Sequence, residues 1–383
     1  MIATNKVKLS EISTLISKGS TPRGKVNYSK TEKNDFLRVT DMADYGRVKK
    51  SDLTLSDEDF AKNKMRLWPV DTVLISIEGT IGKVSILKKV MAFNQAVAGV
   101  VVDKTKILPE YLMYYLKSES AFGRIVKGTI MPAIRLGDIS NLDIDLPSLN
   151  NQKKIVDTLE KIDSKIGCNN RTNDNLDKLL KLKFNDWVDN LSNARLSNLA
   201  EIATYRNGLA MQKYRPKNGN GLPVIKIKEM NSGFSKETER CDETIDEDYI
   251  VHDGDVLFAW SGTLCAMIWS SGDGGLNQHI FKVTSEKYPK WFYYLWTLRH
   301  LDKFIQIAAG KATTMGHIKR KELSLSEVLV PEDNEIKNMD KIMTPILDKI
   351  IENNIENRRL TKLRDTLLPE LLNGKIDASN IDI

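Results

Sequence analysis

Apolar residues fall along this chain in two regimes. In the first, short apolar runs such as Thr72-Val-Leu-Ile-Ser-Ile77 and Asp255-Val-Leu-Phe-Ala-Trp260 stand between glycine-rich breaks. Runs of this length predict buried strands. In the second, long stretches without glycine-rich breaks place apolar residues at heptad spacing. One stripe is Ile155, Leu159, Ile162, Ile166, Leu176 and Leu180; the other is Met339, Met343, Ile346, Ile350, Leu360 and Leu367. Stripes of this length predict helices that pair as a coiled coil. Pro345 falls early in the second stripe, where it either kinks that helix or marks its first turn. The aromatic stretches Tyr111 to Tyr115 and Trp291 to Trp296 follow Pro109 and Pro289 and predict helices that open near a proline.

The regimes come twice. Leu9-Ser-Glu-Ile12 returns as Leu199-Ala-Glu-Ile202, and Leu37-Arg-Val-Thr-Asp-Met42 as Ile225-Lys-Ile-Lys-Glu-Met230. Gly79-Thr80 returns as Gly262-Thr263, Phe93-Asn-Gln95 as Leu276-Asn-Gln278, and Met131 with Ile134-Arg135 as Met315 with Ile318-Lys319. Each match is short, but all keep one order along the chain, which is the mark of an internal repeat. The helical stretches repeat without a gap, Ile162 onto Ile346 and Ile166 onto Ile350, and Asn169, Asn170 and Asn173 recur as Asn353, Asn354 and Asn357. The expected organisation is a globular part over 1–150, a helix over 151–194, a second globular part over 195–331, and a second helix with a tail over 332–383.

Bulk properties narrow the class. At 383 residues the chain exceeds one ordinary domain. A hydrophobic content of 41% with 28% charged residues is that of a water-soluble globular protein, and a net charge of +6 suits a nucleic-acid partner. The N-terminal segment lacks the apolar core of a signal peptide, and no apolar run reaches membrane-span length, so a cytoplasmic protein with no membrane partner is expected. Cys168, Cys241 and Cys265 are far apart and form no CxxC pair, and the four histidines show no ligand spacing; no metal and no cofactor are expected.

Catalytic signatures are missing. A DNA methyltransferase needs a glycine-rich loop for its methyl donor and an Asn/Asp-Pro-Pro-aromatic motif at the target amine, and neither occurs. Gly79-Thr-Ile-Gly-Lys-Val84 lacks the spacer and the Ser/Thr of a phosphate loop, and there is no G-x-S-x-G elbow. What recurs instead is a set of polar and basic positions in the globular parts. Lys18-Gly-Ser-Thr-Pro-Arg-Gly24 offers backbone amides with flanking cations, which suit a phosphate oxygen. Candidate DNA contacts are Lys18, Ser20, Thr21, Arg23, Arg38, Lys62, Lys64, Arg66, Lys83 and Arg135 in the first copy. In the second they are Arg206, Lys213, Arg215, Lys226, Lys228 and Lys319, with Arg38 matching Lys226 and Arg135 matching Lys319. Asn94-Gln95 and Asn277-Gln278 can bond adenine. Because both copies share them, they are expected to hold the fold or grip phosphates, and base readers are expected where the copies diverge, around 44–66 and 205–221 or 231–250.

Taken together, these features resemble the specificity subunit family of type I restriction-modification systems. The resemblance spans essentially the whole chain. It rests on Leu9-Ser-Glu-Ile12 leading to Lys18-Gly-Ser-Thr-Pro22, on Val73-Leu-Ile-Ser with Gly79-Thr-Ile-Gly82, and on Phe93-Asn-Gln95. It rests further on Leu146-Pro147 with Gln152-Lys-Lys-Ile-Val156 and on Leu367-Leu-Pro-Glu-Leu-Leu-Asn-Gly-Lys-Ile376. The resemblance implies an α+β fold: two similar α/β target-recognition domains separated by a long two-helix antiparallel coiled coil, with an internal pseudo-two-fold repeat. It implies a non-catalytic chain whose domains each bind one half of a bipartite double-stranded DNA site. The helices would space the domains and dock methyltransferase (M) subunits, two of them, with room for a restriction/translocase (R) subunit. Subunit contacts are expected around residue 152; Pro331-Glu-Asp-Asn-Glu-Ile336 lacks the matching Gln-Lys-Lys stretch. The alternatives are a protein-binding adaptor with duplicated domains, or a DNA enzyme with an unfamiliar site.

The repeat also predicts a register. Helices related by a two-fold across their seam run antiparallel, and a buried amide needs a polar partner. Asn169 is then expected opposite Asn357 and Asn173 opposite Asn353, which sets Ile166 against Leu360, Leu176 against Ile350, Leu180 against Ile346 and Leu159 against Leu367. Ile162 meets Arg364, whose neighbour Leu363 could take its place. Helices of about 33 residues are roughly 50 Å long and suit a ruler. Inserting one heptad in phase into both helices should lengthen the gap between half-sites by about three base pairs and leave the half-sites unchanged. Mapping methylated bases checks this, and altered half-sites at unchanged spacing would refute the ruler.

Overall fold

The structure is a computed structural model that describes residues 5–24, 26, 28–29, 33–43, 45–118, 134–217, 219–310, 316–378 and 381. Met131 and Met315 of the repeat, and Asp44 and Asn218 of the divergent segments, lie outside the described residues. Among those described, the helices of nine residues or more are α1 (Pro109–Lys117), α2 (Leu149–Asp189), α3 (Lys290–Ala309) and α4 (Asp333–Leu372). None is long and apolar enough to cross a membrane. The chain forms two compact units, 1–165 with 361–383, and 166–360, so each takes a segment of both α2 and α4.

In the first unit, a five-stranded sheet runs in the order Ser13–Lys18, Val97–Val102, Val73–Ser76, Val84–Leu87, Gly46–Val48. Side chains alternate between the two faces of a strand. Val73 and Ile75 join a core with Tyr111 and Leu112 of α1, Ile155 and Leu159 of α2, and Leu368 and Leu371 of α4. Leu74 points the other way, into a core with Leu37, Trp68 and Phe93. Both faces of the central strand are therefore covered, which is why its sequence shows no polar alternation. A three-stranded sheet, Thr54–Leu55, Asn34–Leu37, Ala92–Phe93, supplies part of the second cover. Asn5–Lys8 pairs antiparallel with Asp143–Leu146, just before α2.

The second unit repeats the plan. Its main sheet runs Thr204–Asn207, Ile280–Thr284, Val256–Ala259, Cys265–Ile268, and a smaller one runs Arg240–Cys241, Leu222–Ile225, Gly274–Leu276, Ile250–Val251. Val256 and Phe258 face the core that holds α3, while Leu257 and Ala259 face a separate one with Ile225, Trp269 and Leu276. Ala194–Asn198 pairs antiparallel with Glu327–Pro331, just before α4.

The helical stripes differ in detail from the heptad reading. In the second unit α4 buries Ile336, Met343 and Leu347, whereas Ile346 and Ile350 are only half-buried. On α2 the buried set continues past Leu180 to Phe184 and Val188. The reason is that both helices pack on the globular part as well as on each other: Phe184 lies 5.5 Å from Trp296, and Trp187 lies 5.5 Å from Trp291. Pro345 does not mark a first turn, since α4 starts at Asp333 and continues through it. Between the apolar ends the contact becomes polar. Asn169 Nδ2 donates to Asn357 Oδ1 (3.0 Å) and to Glu356 Oε2 (2.7 Å). Asn353 Nδ2 donates to Asn173 Oδ1 (2.8 Å), and Asn173 Nδ2 donates to Asn354 Oδ1 (2.8 Å). The two helices run antiparallel here, with the lower numbers of α2 beside the higher numbers of α4.

In the first unit Arg364 is not replaced by Leu363, which is 42% exposed. Arg364 stays inside because its charge is met. Its guanidinium donates to Asp163 Oδ1 (2.8 Å) and lies 3.9 Å from the Tyr45 ring centroid. Tyr114 Oη donates to Asp163 Oδ2 (2.5 Å), and Arg47 donates to Glu160 Oε1 (2.6 Å). Burial, and then the Asp163 carboxylate, push the Tyr114 hydroxyl far up, so it remains a donor. Side-chain exposures of 12% and 20% make Arg364–Asp163 a mostly buried pair, and deleting one partner of such a pair leaves an uncompensated charge. Arg364→Ala should therefore destabilise the chain by about 2–3 kcal/mol, read from urea unfolding midpoints. A loss under about 1 kcal/mol would mean that solvent already screens the pair.

Candidate nucleic-acid interface

Each unit builds one polar site from three loops, and a glycine makes the closest contact. Gly19 follows the strand Ser13–Lys18; a Cβ there would lie 2.1 Å from Phe93 O and 2.4 Å from Asn94 O. Gly208 follows Thr204–Asn207; its Cβ would lie 2.2 Å from Leu276 O and 2.3 Å from Asn277 O. Only glycine permits this approach. Ser20 N donates to Phe93 O (3.0 Å) and Leu209 N to Leu276 O (2.9 Å), so both loops lie flat on the Asn-Gln turn. That turn reaches the third loop through Asn94 N to Leu37 O (3.0 Å) and Asn277 N to Ile225 O (3.3 Å). Arg38 and Lys226 stand at matching points of the third loop, where Arg38 N donates to Asp41 Oδ2 and Lys226 N to Glu229 Oε2. The equivalence of Gly19 and Gly208 is a signal that the repeat carries and that the motif reading passed over.

The first unit draws several candidates together. Ser20 Oγ donates to Met65 Sδ (3.5 Å), Arg23 N donates to Asn63 Oδ1 (2.7 Å), and Gln95 N donates to Thr21 Oγ1 (3.5 Å). The loop with Lys18, Ser20, Thr21 and Arg23 thus lies beside the segment with Lys62, Lys64 and Arg66. Arg66 sits 5.5 Å from the Trp68 ring centroid. Lys83 is turned inward: its ammonium donates to Met42 O (2.9 Å) and Val39 O (3.4 Å), bracing the Arg38 loop from below. Arg135 and Lys319 are exposed at matching points, each just before a short helix, with Ile134 N bonded to Ile77 O and Ile318 N to Trp260 O.

In the second unit a cleft of about 390 Å³ is lined by Gln212, Lys226, Lys228, Glu239, Ser261, Gln278 and His279. Lys213 and Arg215 are exposed just beyond Gln212. Arg206 pairs with Asp248 (2.9 Å) and lies over the Tyr249 ring at 5.8 Å. Hydrogen bonding to Lys226, and then its charge, hold the Glu239 carboxyl below the usual range. The Gln278 amide lies 3.2 Å from His279 Nε2, and the Trp260 ring lies 5.9 Å from the imidazole. Gln212, Glu239 and His279 were not singled out by motif; the first copy has Ala96 where His279 stands.

Buried polar atoms without a partner mark the same places. Among the described residues these are Arg38 Nε, Asn94 Oδ1, His279 Nδ1, Ser13 Oγ and Trp296 Nε1. The first three belong to the glycine-loop sites. An unmet buried polar atom costs about 1–3 kcal/mol, so a ligand that satisfies it is favoured there. Gln152 is fully buried, and its amide bonds Leu108 N (2.8 Å), Lys106 O (3.0 Å) and Pro147 O (2.9 Å), so this side chain holds α2 to its own unit, while its neighbour Lys153 is exposed.

Gly208→Ala and Gly19→Ala should each destabilise their unit by about 1–3 kcal/mol, because the new methyl overlaps a carbonyl oxygen. Thermal unfolding checks this, and a change within about 0.5 kcal/mol would show that the loop can lift away without cost.

With the geometry in place, comparisons with known proteins give a consistent picture. Residues 2–178 and 192–364 each match the family described as the type I restriction modification DNA specificity domain. The chain is 22% identical over 402 residues to the specificity subunit of the MjaIX type I restriction enzyme of Methanocaldococcus jannaschii, covering 94% of this chain and 91% of the relative. It is 22% identical over 358 residues to the HindI specificity subunit of Haemophilus influenzae, covering 70% and 78%. In fold it is similar to the S subunit of a type I restriction-modification system from M. genitalium, with a TM-score of 0.57 at 16% identity over 97% of this chain and 96% of the other. The two family matches together span most of the sequence, one in each half, and the chain therefore belongs to the type I restriction modification DNA specificity domain family.

Proposed function

We propose that this chain is the DNA-recognition subunit of a type I restriction-modification complex and carries no chemistry of its own. The observation behind this reading is the duplication itself: one family domain occurs twice, each with a glycine-tight loop, a basic loop and unmet polar atoms. A bipartite DNA site needs two such readers. Lys18, Ser20, Thr21, Arg23, Lys62, Lys64 and Arg66 in the first unit, and Lys213, Arg215 and Lys319 in the second, take phosphate oxygens, which sets register on the duplex without reading sequence. Arg38, Lys226 and the divergent segments near them reach base edges. Two modest readers on one chain gain affinity through effective concentration. The long helices set the gap between half-sites and dock two methyltransferase subunits, and a restriction/translocase subunit joins the same cytoplasmic complex.

The test is reconstitution. The purified chain should bind duplex DNA weakly, with no methylation or cleavage. Adding its methyltransferase subunits should produce methylation confined to a two-part sequence. Methyl transfer by the chain alone, or methylation at a single uninterrupted sequence, would overturn the reading.

A further inference from the structure

Three basic side chains of the second unit already hold carboxylates. Lys226 Nζ lies 2.6 Å from Glu239 Oε1, Lys228 Nζ lies 3.6 Å from Glu237 Oε2, and Arg206 lies 2.9 Å from Asp248 Oδ2. Lys226 belongs to the scaffold that the two copies share, since Arg38 stands at the same point of the first. All three carboxylates come from the segment 231–250, where the copies diverge, and all are more than half exposed. Among the described residues, the candidate cations of the first unit show no such arrangement. Its Arg38 meets only Asp41, at 3.9 Å, and among the described residues Lys18, Arg23, Lys62, Lys64 and Arg66 form no ion pair.

We infer that Glu237, Glu239 and Asp248 are specificity-determining residues that act by screening: they occupy Arg206, Lys226 and Lys228, so that these cations do not reward contact with the phosphates of any passing duplex. This rests on the proposed DNA-recognition function. A free cation that neutralises a phosphate releases a condensed counterion, which is the main source of sequence-independent affinity. A cation that must first leave a carboxylate gains little, because the carboxylate it abandons takes up a counterion in turn. Exposed pairs are weak enough to be exchanged, so the screen is a threshold that base contacts at the correct sequence can overcome. Discrimination improves because the wrong sequence is bound less well, without any added contact to the right one. The segment 231–250 thereby tunes three cations, of which Lys226 stands at a basic position that both copies have.

The experiment uses the full chain assembled with its methyltransferase subunits and compares wild type with the triple variant E237Q/E239Q/D248N. A control, E332Q/D333N/E335Q, makes the same change in net charge at the start of α4. Binding of non-target and target duplexes is measured between about 50 and 200 mM salt. For the screen variant, log affinity for non-target DNA should fall more steeply with log salt, by about 2–3 in slope at about 0.9 per freed cation. Its non-target affinity at the low-salt end should rise roughly tenfold or more, and its preference for target over non-target should fall several-fold. An unchanged thermal unfolding midpoint and co-elution with the methyltransferase subunits show that the fold is intact; the control changes the slope by less than about 1. Equal slopes for screen variant and wild type, or equal changes for screen variant and control, overturn the inference. A change in the methylated sequence without a change in non-target binding also overturns it, since the carboxylates would then be reading bases. A wild-type complex with no salt-dependent DNA binding would overturn the underlying function too.

Discussion

Each unit depends on one strand that must be covered on both faces. Val73–Ser76 and Val256–Ala259 are buried throughout, and no single layer can cover both sides. One side is closed by α1 or α3 together with segments of the long helices, and the other by residues of the small sheet and its loops. Two things follow. The helices are part of the core and cannot detach without exposing it. The loops that carry the polar sites leave from strands whose positions the core has already set, so a site built on loops has a rigid foundation.

Against this apolar background, buried polar groups act as locks. Asn169, Asn173, Asn353 and Asn357 exchange amide hydrogen bonds between the two helices. Shifting one helix by a turn would strand these amides, so they specify a register more than they add stability. Arg364 with Asp163, Tyr114 and Tyr45 does the same in the first unit. Its cost when half-formed is what makes the arrangement unique.

The sequence made legible whatever follows from pattern and repetition: the buried strands, the proline-led helices, the duplicated plan, and asparagine meeting asparagine. It concealed what depends on a third body. The heptad reading gave each helix one partner, whereas Phe184, Val188, Ile336 and Leu347 answer to the globular core as well. Leu363 was an apolar candidate for a seam that Arg364 fills, because aromatic and carboxylate partners reach it from elsewhere in the unit. The basic positions were legible as residues, but their partners were not: Lys226 and Arg206 meet carboxylates distant in sequence, while Lys83 is used up by carbonyls.

The pairing of Asn5–Lys8 with Asp143–Leu146, and of Ala194–Asn198 with Glu327–Pro331, brings the entry and exit of each globular part side by side. A segment whose two ends are already hydrogen-bonded neighbours presents the rest of the chain with the same short connection whatever lies between them. Such a segment can be exchanged by recombination as a cassette, because the ladder that receives it is made of backbone and asks little of the incoming side chains. Evolution can then revise one globular part while the frame that holds it stays as it was.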